Sequence, residues 1–409
     1  MGKESSNEKI PVLDGMEPRV NRYYLKVSRK YMAAGIALML TLIGYIIFVM
    51  LFLGQYVTYD NLKFLVRDMS ALSIPGSGEY SSIVYNGSDE LVTSSFRGGT
   101  AICTVDSYLY YDSGGGLLVE DSCQYTSPDM VTSGKYLLLY DVGGSGYSVY
   151  NQLTRIIERT SSQPIVTGGI SDDGSLLLVT RSRETKYVVE LYNAAFNKSM
   201  SIYKENYVLG AALSPDGEYI VIASGVPADT DLGCEISIIK RGSDTPLYTS
   251  SYTHTMPLEI QAFDDGFILL CDNGLYFFNY SGGITSSYSF TGMNLRYADI
   301  TKSGAVVVGS VNALGSENKC AVFNSAGENV YSAVLDMRIS GAYGSVNYED
   351  SLAYLTAADR VIKIHPDGTA EEYTPETEVL TVVPLNKGAL LCSRSSAAPA
   401  FNRKNDNCK

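Results

Sequence analysis

The chain has 409 residues, no tryptophan, two histidines and a formal net charge of −13 at neutral pH. An acidic balance of this size argues against nucleic acid and against docking on anionic lipid, since both reward positive charge. Two isolated histidines also weigh against a histidine-rich metal site and a Ser-His-Asp triad.

The first element is apolar. No charged residue falls between Tyr31 and Tyr59, and the core of this stretch is the 22 residues from Met32 to Leu53. As a helix they would reach about 33 Å, at roughly 1.5 Å per residue. A hydrocarbon core is about 30 Å thick, and in lipid a helix satisfies its own backbone hydrogen bonds. Tyr23, Tyr24 and Tyr31 flank one end, and Tyr56 and Tyr59 the other. Amphipathic rings favour such boundary positions. A core helix of this length would be amphipathic. A signal peptide would have a shorter apolar run and a small-x-small cleavage site. We therefore expect an uncleaved signal anchor over 31–55.

Orientation follows from Lys and Arg. The tail, 1–30, carries seven of them against four carboxylates, a net of +3 that leaves −16 for the rest. Only Lys63 and Arg67 follow the anchor closely. The positive-inside rule puts the N-terminus in the cytoplasm and the large remainder outside a cell membrane. A juxtamembrane segment, 56–79, precedes the main domain, 80–400, and a short C-terminal tail, 401–409.

That domain reads as short β-strands throughout. Runs of Val, Ile, Leu, Tyr and Thr alternate with Gly, Asp, Asn and Ser turns. The turns recur. Ser214-Pro215-Asp216-Gly217 precedes an apolar run from Tyr219, and Ser171-Asp172-Asp173-Gly174 precedes one from Leu176. Asp264-Asp265-Gly266 precedes Phe267, and Lys302-Ser303-Gly304 precedes Ala305. Weaker copies bring the markers to eight: Asp89, Gly134, Gly174, Gly217, Gly266, Gly304, Asp350 and Gly388. Their spacing of roughly 40–45 residues, with four short strands per unit, is that of a β-propeller blade. One whole unit reads as 208–213, 219–223, 235–240 and 247–250. The fold class is thus an all-β propeller of eight blades, with seven the alternative, preceded by one transmembrane α-helix. The last unit runs out of strands after Cys392, so a segment near the anchor, 62–67, is expected to complete the ring.

The Ser-Pro-Asp-Gly units resemble the WD40-like repeats of TolB-type propellers, most specifically at 171–180 and 213–223. The whole plan of basic tail, single helix and propeller is similar to a Gram-positive family of single-pass, membrane-anchored propellers with a domain of unknown function. The resemblance implies fold and topology and implies no activity.

Candidate chemistry is sparse. His365 sits in a His-Pro-Asp-Gly turn and His254 in a polar connection between units. Gly144-Ser145-Gly146 nearly matches a nucleophile elbow, but without strand-turn-helix context it reads as a hairpin. Asp229-Thr230-Asp231-Leu232-Gly233 has carboxylates spaced for calcium but lacks the bidentate Glu, so it reads as a solvated loop. Asp172-Asp173 and Asp264-Asp265 repeat at one turn position, which marks them as structural. Quinoprotein-type tryptophan docking and the Ser-x-Asp-x-Gly-x-x-Trp box of sialidases are both absent from the sequence. Of the seven cysteines, Cys271, Cys320 and Cys392 sit in apolar runs as buried thiols, and Cys103 with Cys123 is a candidate bridge. No catalytic, cofactor-binding or metal-ligating residue is assigned, and no cofactor is expected. The chain is expected to be a non-catalytic interaction module whose partner is an envelope protein or cell-surface polymer. A ligand or carbohydrate sensor is the alternative, and a hydrolase using loop carboxylates ranks third.

Overall fold

The computed structural model describes residues 18–52, 82–86, 91–104, 106–112, 114–228, 231–243 and 245–401. It divides into two compact units, parted after Leu65. The first holds one 35-residue α-helix, Pro18–Phe52. Proline suits the first helical position, where its missing N–H has no partner to lose. The helix starts well before the expected span at 31, because the basic residues of the tail are good helix formers and continue it. Within it, Tyr24–Tyr45 is long and apolar enough to cross a membrane. The segment 56–79 and the closing strand expected at 62–67 lie outside the described residues.

The second unit is an eight-bladed β-propeller, each blade a four-stranded antiparallel sheet, numbered in chain order from the inner strand Val92–Phe96 of blade 1 to the inner strand Thr381–Pro384 of blade 8. Blade 4 shows how the sequence builds one. Its strands, from the axis outward, are Tyr207–Leu213, Tyr219–Ala228, Asp231–Lys240 and Tyr248–Thr253. The second strand is apolar on both faces because both are covered. Ile220, Val221, Ile222 and Ala223 are all fully buried between neighbouring blades. The outer strand alternates partly buried and exposed residues, as a solvated edge should.

The turn between the first two strands is held by its own side chains. The Gly217 amide donates to the Ser214 carbonyl at 2.8 Å, the Ser214 hydroxyl donates to Asp216 Oδ1 at 2.5 Å, and Tyr219 N–H donates to Ser214 Oγ at 2.8 Å. Gly217 has a φ of +72°, which only glycine adopts without strain.

The core lies between blades rather than within one. Eight apolar clusters occupy the eight gaps around the ring. The gap between blades 4 and 5, for example, joins Val221, Ile236 and Ile238 to Phe267, Leu269 and Cys271. Each fully buried Val, Leu or Ile there contributes roughly 1.5–3 kcal/mol relative to exposure. Tyrosine and phenylalanine supply the interblade rings, as in the stacked pair Tyr219 and Tyr280 at 4.4 Å between centroids. Cys103, Cys123, Cys234, Cys271, Cys320 and Cys392 are all buried free thiols, so the candidate bridge between Cys103 and Cys123 is not formed.

Ring closure differs from the expectation. Blade 8 does not run out of strands at Cys392, because Ser396–Ala400 follows as a third. Its outermost strand is Ile83–Val84, from the other end of the domain. Ile83 pairs with Ala397 and Val84 with Ser396, and Tyr85 Oη donates to the Ser393 carbonyl at 2.5 Å. Ile83 is 3% exposed, so the short strand is fixed by burial as much as by its ladder.

Candidate functional site

The eight innermost strands wall a central channel of about 970 Å³. Most of its lining is small or apolar, but three carboxylates line it: Asp129 of blade 2, Glu259 of blade 5 and Asp299 of blade 6. Asp129 accepts hydrogen bonds from the Tyr140 hydroxyl and, at 2.8 Å, from the Met130 amide. Asp299 Oδ2 accepts the Gly344 amide of blade 7 at 2.8 Å.

Glu259 is open to channel water yet walled in by the ring. Burial, then the negative charges of Asp299 and Asp129, push its carboxyl from the ordinary 4.5 up to about 8. Burial pushes Asp299 up to about 6, against the opposing hydrogen bonds from the Gly344 and Ile300 amides. At neutral pH the pair therefore carries less than two full charges.

The channel's mouth, on the side of the first-to-second-strand turns, adjoins a pocket of about 510 Å³. Asp172, Asp264 and Lys302 line it with Phe263, Phe267 and Phe278. Burial lowers the Lys302 pKa, while Asp172 and Asp264 oppose the shift.

The doubled aspartates of the turns prove to be joints between blades where they are best tied. Asp172 Oδ1 accepts the Gly134 amide of blade 2, and the Asp172 amide donates to the Pro215 carbonyl of blade 4 at 2.8 Å. Asp173 accepts from Ser171, Ser175 and, at 3.0 Å, Arg241 of blade 4. Burial opposes ionisation of Asp173, but those donors hold it below the ordinary carboxylate value.

The opposite end of the ring carries exposed large apolar residues over blades 4–6, interspersed with exposed polar ones such as Glu205, Asp272 and Arg296. There the inner strands begin and the second and third strands are joined. Tyr207, Leu209, Leu232, Leu258, Tyr297 and Leu314 are all exposed large apolar residues of this end, Leu314 at 80% and Leu258 at 51%. Two devices support the surface. Lys186 Nζ sits 4.4 Å from the Tyr207 ring centroid, and the second and third strands of blade 4 extend as a ladder as far as Ala228 and Asp231.

Other weighed residues have structural places. Asp231, Leu232 and Gly233 belong to that ladder, so the stretch is a strand and not the solvated loop expected. Its pairing with the second strand outweighs the local turn preference. Asp229 and Thr230 lie outside the described residues. Gly144-Ser145-Gly146 joins the strands Leu137–Asp141 and Gly146–Tyr150 as a hairpin. His365 sits in its turn with Nε2 at 3.1 Å from Glu371. The His254 carbonyl accepts Asn273 Nδ2 at 3.0 Å. Cys408 lies outside the described residues. Among the described residues, no group of three His, Cys, Asp or Glu side chains is placed to hold a metal. Sequence reasoning missed the channel carboxylates. Their signal was a carboxylate within an inner strand, five to seven residues before the turn glycine.

Comparison with known proteins gives family and fold. A family profile described as "Family of unknown function (DUF5711)" matches residues 79–392. No curated protein matches the chain. Among solved structures, BamB from Moraxella catarrhalis is 13% identical with a TM-score of 0.50, covering 79% of this chain and 99% of that one. Chaetomium thermophilum Sqt1, bound to the N-terminus of ribosomal protein L10, is 10% identical with a TM-score of 0.52, covering 78% and 98%. At such identities the likeness is one of fold.

Proposed function

The chain belongs to DUF5711, a family of unknown function, and from that premise we propose that it is a membrane-anchored, non-catalytic interaction module. Its propeller is displayed outside the cell membrane, with the N-terminus in the cytoplasm, and holds a protein of the cell envelope. The observation that carries this reading is the set of exposed large apolar residues on one end of blades 4–6. Tyr207, Leu232, Leu258, Tyr297 and Leu314 are each exposed on one end of three adjacent blades, and exposed apolar residues gathered on one face mark interaction surfaces. Tyr is enriched among the residues that dominate binding energy, and side chains presented on rigid elements bind at lower entropic cost. The Sqt1 propeller, of similar fold, is seen with a protein segment bound. Orientation is supported by the seven Lys and Arg that precede the apolar stretch from Met32 to Leu53.

The test is site-specific photo-crosslinking in intact cells. Crosslinkers at Leu232, Leu258 and Leu314 are expected to capture one envelope protein in common, and one at Ile284, on the opposite rim, is not. Leu258→Asp with Leu314→Asp is expected to reduce capture at least tenfold. Equal capture from both ends, or none across several crosslinkers, would sink the reading. Protease added to intact cells is expected to degrade the propeller, and its full protection would reverse the orientation.

A further inference from the structure

Cys103 ends the second strand of blade 1, Gly99–Cys103, and Cys123 follows the outer strand, Leu117–Ser122. The two sulfurs lie 3.9 Å apart although twenty residues separate them in the chain. Both side chains are buried, at 0% and 5% exposure. Their positions are held from several sides. The Cys123 amide donates to the Asp106 carbonyl at 3.0 Å, and the Thr104 amide donates to the Ser107 carbonyl at 2.8 Å. A disulfide needs a sulfur separation of about 2.05 Å, so the two sulfurs, already in van der Waals contact, have to close by about 1.9 Å. The outer strand has a partner on one side only, so its fraying exposes Cys123 to a reagent.

We propose that Cys103 and Cys123 are an oxidisable pair that closes to a disulfide by exchange with a disulfide donor, fastening the outer strand of blade 1 to its second strand on the face toward blade 2. This inference rests on the geometry of blade 1 and is independent of what blades 4–6 bind. The chemistry balances with the donor as oxidant. The Cys123 thiolate attacks one donor sulfur and releases the other as a thiolate, leaving a mixed disulfide. Cys103 then loses its proton and attacks the Cys123 sulfur, which releases the second donor thiolate. Two protein thiols are oxidised, one donor disulfide is reduced, and the two protons end on the donor thiols. Cys123 is the group suited to attack first. The Cys103 thiol donates to it and lowers its pKa, against the effect of burial, and that same bond holds Cys103 protonated.

The test uses the full-length chain in detergent, reduced and then equilibrated with mixtures of oxidised and reduced glutathione. Acid quenching, alkylation and peptide mass spectrometry read the products. The expected product is lighter by two hydrogen atoms, joins Cys103 to Cys123, and melts at a higher temperature than the reduced chain. Cys234, Cys271, Cys320 and Cys392 are expected to remain alkylatable after unfolding. Persistence of both thiols in oxidised glutathione alone, or a bond mapped to another pair, overturns the proposal. Cys103→Ser and Cys123→Ser are each expected to abolish the bond and its thermal gain, and a gain that survives in either counts against it. Where a variant fails to fold, the mapping on the unsubstituted chain decides by itself.

Discussion

Tyr108 is fully buried, stacked on Tyr150 at 4.0 Å between centroids, and its hydroxyl meets no hydrogen-bond partner among the described residues. A buried donor without a partner costs about 1–3 kcal/mol. Tyr108→Phe is therefore expected to raise stability by about 1 kcal/mol, read as a higher urea midpoint at unchanged slope. Glu259 gives a pH signature. Its folded-state pKa is raised, so its protonated form is the one the fold favours. The stability this confers is complete below about 4.5 and is lost as pH rises through about 8. Glu259→Gln removes that loss. The melting-temperature gap between variant and parent is expected to be small at acid pH and to widen through the neutral range into the alkaline one, and a constant gap would contradict the shift. Individual residues were legible where their role is local. Ser214, Asp216 and Gly217 serve a turn within four residues, and the sequence shows that directly. The juxtaposition of Asp129, Glu259 and Asp299 depends on three blades meeting at one axis, which no local pattern records.

At the scale of the element, the turn between the first two strands of a blade was the clearest feature of the sequence, and the structure shows why it is tight. A Cβ on Gly217 would approach Asp173 Oδ1 to 3.0 Å, and Asp173 is already fixed by Ser171, Ser175 and Arg241. Gly217→Ala therefore meets both a left-handed backbone, costing about 1–2 kcal/mol, and a neighbour that cannot yield. The expected loss is about 2 kcal/mol in chemical denaturation, with the fold retained by circular dichroism. Strands were legible where Val, Ile, Leu and Phe dominate. Ser396–Ala400 reads Ser-Ala-Ala-Pro-Ala, a composition poor in strand formers. It is a strand because Ala397 through Ala400 pair with Cys392 through Ala389. Ile83–Val84 escaped notice for a related reason, since two residues carry no period. In both cases tertiary pairing decides what propensity leaves open.

For the whole molecule, the repeat spacing was enough to count eight blades, seven of them built from contiguous sequence. It could not show which segment completes the eighth, whose strands come from both ends of the domain. That blade is where the ring is most exposed to damage. Ile83 packs with Ile102, Val383 and Leu390 across the seam, and Ile83→Ala should leave a cavity costing about 2–4 kcal/mol. Hydrogen exchange is expected to accelerate first in blades 8 and 1, ahead of blades 4 and 5. Uniform acceleration around the ring would show that the seam is not a separate unit.

The seam also sets an order of events during synthesis. Tyr85 and Ser393, bonded in the finished ring, are 308 residues apart in the chain. The strand Ile83–Val84 leaves the ribosome before any blade exists, and its partner Ser396–Ala400 leaves after seven blades are complete. Blades 1–7 can assemble in sequence as they emerge, because each is local. The ring itself cannot close until the last strand is made. A chain interrupted at any earlier point keeps unpaired strand edges, which are sites of aggregation. Closure thus makes the first strand of the propeller wait, unpaired, for the last.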